Sequence, residues 1–200
     1  MILNAFDLKG KVAIVTGCDT GLGQGMALGL AEAGCDIVGI NIVEPTDTIA
    51  KVEALGRKFL SLKADVSKVD TLPALVDQAV SRFGRVDILV NNAGMSLSGT
   101  FTTQTPADID RLIAVNLTAV VRLARAVAPR LAKAGTGAII NISSVVGLAP
   151  EFGMTIYGAT KAFVLFLSQG LSLELGPQGV YIQAVVPSAT RTEIWQRSGK

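Results

Sequence analysis

A chain of 200 residues is long enough to bury the core of one domain, and half of its residues are hydrophobic while only 17% are charged and 5% aromatic. A net charge of +2 with no long run of Lys or Arg excludes nucleic acid and anionic membranes as expected partners. The absence of histidine excludes a Ser–His–Asp hydrolase and, with only two cysteines, leaves so few ligands that no metal site is expected.

The first segment, Met1 to Lys11, is too short and too charged at Asp7, Lys9 and Lys11 for a secretory signal. A Val/Ile-rich run at Val12–Thr16 reads as the first strand, and a helix follows at 21–33. Between them stands Thr16-Gly17-Cys18-Asp19-Thr20-Gly21-Leu22-Gly23. Glycines there let backbone N–H groups approach a diphosphate at a helix N-terminus. The spacing is G-x-x-x-G-x-G, and the same glycines also suit a tight strand-to-helix turn with no ligand.

Cys18 and Cys35 make no disulfide framework and no CxxC pair, which points to a reducing, cytoplasmic setting. A second strand at Asp36–Ile42 carries Asn41 near its end, with Glu44 just beyond. Asn41 can hydrogen-bond a ribose hydroxyl but cannot neutralise a 2′-phosphate, Asp19 would repel one, and neither segment offers Lys or Arg. NAD is therefore expected over NADP. The alternative is that Asn41 merely ends its strand.

A helix at 46–57, a strand at Phe59–Lys63, a helix at 70–83 and a strand at Val86–Asn91 continue the alternation. Asn91-Asn92-Ala93-Gly94 closes the fourth strand, and Ser96–Thr105 reads as a loop. Thr105, Pro106 and Asp108 form a helix start for 106–134, as N-cap, first helical residue and N3 carboxylate. Pro129 is expected to kink that helix or end it early. Arg122, Arg125 and Arg130 break its apolar character, so no membrane span is expected.

Gly137–Ser143, a helix at 155–175 and Val180–Val186 complete the pattern. Ser143 and Ser144 follow the fifth strand. Tyr157-Gly158-Ala159-Thr160-Lys161 opens the last helix and puts phenol and ammonium one turn apart. A free phenol has a pKa of about 10, and a neighbouring ammonium would lower it toward acid–base work. A Tyr packed on a Lys stem is the commoner origin of that spacing. The whole predicts an α/β fold: a single doubly wound Rossmann-type domain, a parallel sheet of about six strands with helices on both faces.

Taken together, these segments resemble the short-chain dehydrogenase/reductase family. Its markers stand in order as Thr16-Gly17 through Gly21 and Gly23, Asp65 after the third strand, Asn91-Asn92-Ala93-Gly94, Asn116, Ser144, Tyr157 and Lys161. The resemblance implies an NAD-dependent oxidoreductase interconverting a secondary alcohol and a ketone. Tyr157 would be the general acid/base, Ser144 would polarise the substrate oxygen more readily than Ser143, Lys161 would lower the Tyr157 pKa and hold the nicotinamide ribose, and Asn116 would hold a relay water.

The resemblance further implies that the cofactor lies on Gly17, Asp19, Thr20, Gly21, Leu22, Gly23, Asn41, Asn92, Ala93, Gly94, Tyr157, Lys161 and Pro187. Asp65 and Val66 would border its adenine and Thr192 its nicotinamide amide. A homo-oligomer pairing helices 106–134 and 155–175 is also implied. Residues up to about Gly94 are most similar to the 2-deoxy-gluconate and 2-dehydro-3-deoxy-gluconate dehydrogenases, which makes a sugar acid one candidate substrate. The later half is similar to a more generic branch, as a natural mosaic or an engineered chain would be.

Two departures bear on activity. The family's Pro-Gly after the sixth strand is Pro187-Ser188 here, and the chain stops at Lys200 without the family's usual final helix and seventh strand. The sixth strand is then expected at a sheet edge. The competing reading is a catalytically impaired nucleotide-binding or scaffold protein; a sugar-nucleotide epimerase would need a separate substrate domain.

Overall fold

The structure, a computed structural model, describes residues 6–188 and 190. Six parallel strands, β1 (Val12–Thr16), β2 (Asp36–Asn41), β3 (Phe59–Lys63), β4 (Ile88–Asn91), β5 (Gly137–Ile142) and β6 (Val180–Val185), pair in the order β3-β2-β1-β4-β5-β6. The winding direction reverses between β1 and β4. In such a sheet the strand ends splay there and leave a crevice at the carboxyl rim.

Strand periodicity divides the core in two. Val12 and Ile14 join Val38, Ile40, Leu89 and Ile139 on one face, against α3 (Leu72–Phe83) and α5 (Ala119–Ala134). Ala13 and Val15 join Ile37, Ile88 and Val90 on the other, where Ala27 and Ala31 of α1 (Gly21–Glu32) and Val52 of α2 (Thr46–Ala54) cover them. Both β1 faces are thus buried, which accounts for its unbroken apolar run. β6 differs. Val180 and Ile182 are buried, but Tyr181 and Gln183 point to an open face, so the helical cover on that side stops short of this edge among the described residues.

The expected helix 106–134 is three pieces in continuous succession: α4 (Pro106–Ile113), a π-helical turn at Ala114–Thr118 and α5. Thr105 caps it as expected, its hydroxyl accepting the Asp108 N–H at 3.2 Å. Pro129 does not end it early. Val127 and Leu131, on either side, are fully buried, and their packing carries the helix to Ala134 and a left-handed Gly135. By length and composition this helix could cross a bilayer despite its arginines. Here Leu112, Val115, Leu123, Val127 and Leu131 are spent on the sheet. The last helix, α6 (Thr155–Leu175), packs Leu171 and Leu175 on the same face.

The amino end of the sheet is locked by paired ions. The Asp87 carboxylate accepts the Val12 N–H at 2.9 Å and binds Arg85 through both oxygens, with Lys11 Nζ at 3.5 Å. This use of Asp87 is why β4 begins at Ile88, later than its apolar run suggests. Asp36 likewise takes Arg57 at 2.7 Å and the Lys58 N–H at 2.9 Å. Burial alone would raise the Asp36 pKa, but the Lys58 N–H and the Arg57 guanidinium hold it below the usual value.

Candidate active site

At the opposite, carboxyl end of the sheet, β1 runs into the glycine turn. Gly17 takes φ +65° and Gly21 φ +58°, both left-handed and strained for a side chain. A Cβ on Gly23 would lie 1.9 Å from the Gly17 carbonyl oxygen and 2.4 Å from Asn92 Nδ2, so only glycine fits. Helix α1 starts at Gly21 behind Thr20, which makes no side-chain cap, and its first turn holds no acid. Its N-terminal N–H groups therefore stay available to an anion.

Two amides brace this turn from beneath. Asn92 Nδ2 donates to the Thr16 and Gly17 carbonyls at 2.9 and 2.8 Å, while Thr16 Oγ1 accepts the N–H groups of Asn92 and Ala93. Asn41 departs from expectation. Only 3% exposed, it accepts the Cys18 N–H at 2.7 Å and donates to Cys18 Sγ, so its amide shapes the turn and does not face a ribose. Burial pushes the Cys18 thiol up to about 11, which leaves it protonated and inert. A cation overlooked in the linear reading also appears: Lys63, exposed, stands opposite Asn41 in the β2–β3 register.

Asp65 and Val66 follow β3. Val66 is buried, and Asp65 accepts the Ser67 N–H at 2.9 Å with Arg111 of α4 at 3.9 Å. Partial burial would raise the Asp65 pKa; Ser67 and the nearby guanidinium keep it lowered.

From the turn the path leads through Ala93, packed on Gly17, to Gly94, where an added Cβ would sit 3.5 Å from both Asn116 Oδ1 and Lys161 Nζ. The loop that braces the cradle at Asn92 thus reaches the Lys161 ammonium two residues later, at Gly94. Asn116 lies in the π turn and is 1% exposed. Both N–H groups of its amide are engaged, to the Met95 carbonyl at 2.8 Å and to Thr160 at 3.3 Å, and Oδ1 accepts the Met95 N–H at 2.9 Å, which leaves one Oδ1 lone pair.

Ser144 and Tyr157 meet. The Ser144 hydroxyl accepts the Val146 N–H at 3.3 Å and lies close enough to the Tyr157 phenol to act on its pKa, while Ser143 is turned inward and donates to the Lys161 carbonyl at 2.7 Å. Burial raises the Tyr157 pKa and the Ser144 hydroxyl partly offsets that rise. The expected lowering by Lys161 is not seen. The Lys161 ammonium is buried, donates to the Ile142 carbonyl at 2.8 Å, and lies 5.6 Å from the Tyr157 ring centroid. Burial brings Lys161 itself down to about 8, so it still carries most of its charge at pH 7 and loses it just above.

A buried ladder not foreseen from sequence positions the helix that carries this pair. Asn91 Nδ2 donates to Asn141, Asn141 Nδ2 to Ser168, and the Ser168 hydroxyl to the Val164 carbonyl, at 2.8, 2.9 and 2.7 Å. Pro187 accepts the Val145 N–H at 3.1 Å, just after Ser144; Thr192 lies outside the described residues.

A six-stranded sheet of this order, with a glycine cradle beside a Ser–Tyr pair one turn above a lysine, has relatives along its full length. The family described as short chain dehydrogenase matches residues 11–200. The chain belongs to the short-chain dehydrogenase family. It is an oxidoreductase, and the family works with a nicotinamide dinucleotide.

The 2-dehydro-3-deoxy-D-gluconate 5-dehydrogenase of Escherichia coli K12 is 48% identical over 198 residues, covering 98% of this chain and 78% of the relative. That likeness runs through both halves. A short-chain dehydrogenase from Sphingobium yanoikuyae in complex with NADPH superposes with a TM-score of 0.85 at 50% identity, over 94% of this chain and 75% of that one. The bulky-bulky ketone specific alcohol dehydrogenase from Comamonas testosteroni does so with a TM-score of 0.85 at 47% identity, over 90% and 73%.

Proposed function

We propose that this short-chain dehydrogenase interconverts a secondary alcohol and a ketone, with Tyr157 moving the proton and Ser144 holding the substrate oxygen. The carrying observation is that the Ser144 hydroxyl acts on the Tyr157 phenol, one helical turn from Lys161, whose ammonium lies beside Gly94 on the loop that leads from the glycine turn. A nicotinamide dinucleotide bound on that turn would supply or accept the hydride. The residues fit it: Gly17, Thr20, Gly21, Leu22 and Gly23 frame an uncapped helix N-terminus, and a Cβ at Gly23 would close the cradle.

In the reductive direction Tyr157, kept protonated by its raised pKa, donates its hydroxyl proton to the carbonyl oxygen. Ser144 donates a hydrogen bond to that oxygen as charge develops on it. Lys161, titrating near neutrality, stands below the phenol to restore the proton. A relay water would rest on backbone loosened by the π turn or on the remaining Asn116 Oδ1 lone pair.

NAD is the cofactor we infer over NADP. No Lys or Arg occurs between Lys11 and Lys51, whereas Asp19 and Glu44 do, and they oppose a 2′-phosphate; Lys63 acts the other way. Asp65 and Val66, just after β3, would border the adenine. The names of the relatives bring two substrate classes into question, a sugar acid and a bulky ketone. Two free, buried thiols support a reducing, cytoplasmic setting. Exposed Phe163, Phe166 and Leu173 on α6 support a homo-oligomer through this helix.

The test is an NADH fluorescence titration followed by turnover of ketones, with Tyr157→Phe as the comparison. Retained NADH binding with a loss of kcat of about 10²–10⁴-fold is the expected outcome. Unchanged turnover in the Phe variant would refute the assignment. Binding with no turnover in the unsubstituted chain would favour a nucleotide-binding scaffold.

A further inference from the structure

Two segments are anchored beside the elements that carry Ser144 and Tyr157. One is the stretch 145–154, which leaves Ser144 and returns as the start of α6. Its first 3-10 turn, Val145–Leu148, is pressed on α6: a Cβ on Gly147 would lie 2.7 Å from the Ala162 nitrogen, and one on Gly158 would lie 3.1 Å from the Val146 carbonyl oxygen. At its end and in the next turn, Pro150–Phe152, the chain presents large apolar groups outward, with Leu148 63% and Phe152 59% exposed.

The other segment, 95–105, leaves from Met95, which Asn116 pins beside Thr160 of α6. It carries Phe101, 58% exposed, among serines and threonines.

The charge at this mouth is as informative as its apolarity. No Asp, Glu, Lys or Arg lies between Asp87 and Asp108, and between Lys133 and Lys161 the sole such residue is Glu151. Lys161 is buried with its ammonium given to the Ile142 carbonyl. Among the described residues, then, both segments offer a substrate no exposed cation and one carboxylate.

We propose that the substrate is an uncharged secondary alcohol or ketone with bulky apolar flanks, and that a sugar acid is disfavoured. The inference rests on the reading that Ser144 and Tyr157 do the chemistry. A carboxylate leaving water needs a cation or several N–H donors to replace its hydration, and here it would meet Glu151. An aryl or branched alkyl group instead sheds water onto Leu148 and Phe152, surfaces that otherwise remain wet.

The experiment compares kcat/KM, at saturating NADH and with the full chain, for 4-phenyl-2-butanone and for 5-oxohexanoate, a keto acid. The phenyl ketone is expected to lead by about 50-fold or more. Glu151→Lys should raise kcat/KM for the keto acid about fivefold while moving that for the ketone less than about twofold. Phe152→Ala should raise KM for the ketone about tenfold and leave NADH affinity unchanged.

Equal or better turnover of the keto acid, lost in Tyr157→Phe, overturns this substrate assignment and leaves the oxidoreductase reading standing. Turnover of neither compound despite NADH binding overturns both.

Discussion

The two ends of the sheet are both polar, and they are built on opposite terms. At the amino end Asp87 and Asp36 are ionic and surrounded: both Asp87 oxygens and Asp36 Oδ1 meet backbone N–H groups and basic side chains. At the carboxyl end, Lys161 apart, the polar groups around the glycine turn and Tyr157 are mostly amides and hydroxyls, and Gly17, Gly21 and Tyr157 are partly exposed. Charge satisfied by fixed partners holds strands together. Backbone N–H groups at an uncapped helix terminus can instead meet the charge of a ligand. Stability and chemistry are thus separated by the length of a strand.

Substitutions at each end should therefore fail in different ways. The largest effect is expected from Gly23→Ala at the carboxyl end. Its Cβ collides with the Gly17 oxygen, so NADH affinity should fall about 100-fold or more, read by fluorescence titration, with a stability loss of about 1–3 kcal/mol. Asp87→Ala at the amino end should cost about 2–3 kcal/mol in urea unfolding, because it strands the buried Val12 N–H. NADH affinity in the folded variant should stay within about twofold. If Asp87→Ala weakened NADH binding as much as stability, the separation of the two ends would be lost.

A smaller effect concerns Lys161, a buried ammonium of the carboxyl end whose hydrogen bond goes to a carbonyl oxygen. Its folded pKa of about 8 lies below its ordinary value, so burial penalises the protonated form. Below pH 8 both folded and unfolded chains carry the proton and that penalty is full. Between pH 8 and about 10 the folded chain releases it first, the unfolded state binds more protons, and stability rises with pH. Lys161→Met should lack this rise, so unfolding curves at pH 7.5 and 9.5 should separate the two proteins by roughly 1–2 kcal/mol. Above pH 10 the raised Tyr157 pKa acts in the other direction, since the unfolded phenol ionises first. The smallest expected effect is cofactor choice: NADH should bind about tenfold more tightly than NADPH, and Lys63→Glu should widen the ratio.

Much of this was legible in the linear chain because strands buried on both faces write continuous apolar runs, and because Gly17, Gly21, Gly23, Tyr157 and Lys161 sit at fixed offsets within single turns. The part that escaped is the part made across long separations. Asn41 reads as a ribose ligand until its burial against Cys18 is known, and the bonds that tie the Asn116 amide to Met95 leave no trace in the sequence. The ladder Asn91–Asn141–Ser168 joins three elements through polar residues that look like interruptions of strand and helix. The π turn at Ala114–Thr118 leaves no mark in composition. Lys161 was assigned its effect on Tyr157 from spacing, whereas the direction of its ammonium is decided by the Ile142 carbonyl on another element.

The most direct measurement is a crystal structure of the chain with NADH and a ketone. The dinucleotide should lie across Gly17–Gly23, with the ketone oxygen within hydrogen-bond reach, about 2.6–3.2 Å, of both Ser144 Oγ and Tyr157 Oη. A ketone oxygen bound away from that pair, or NADH seated off the glycine turn, would contradict the assignment of chemistry to this rim.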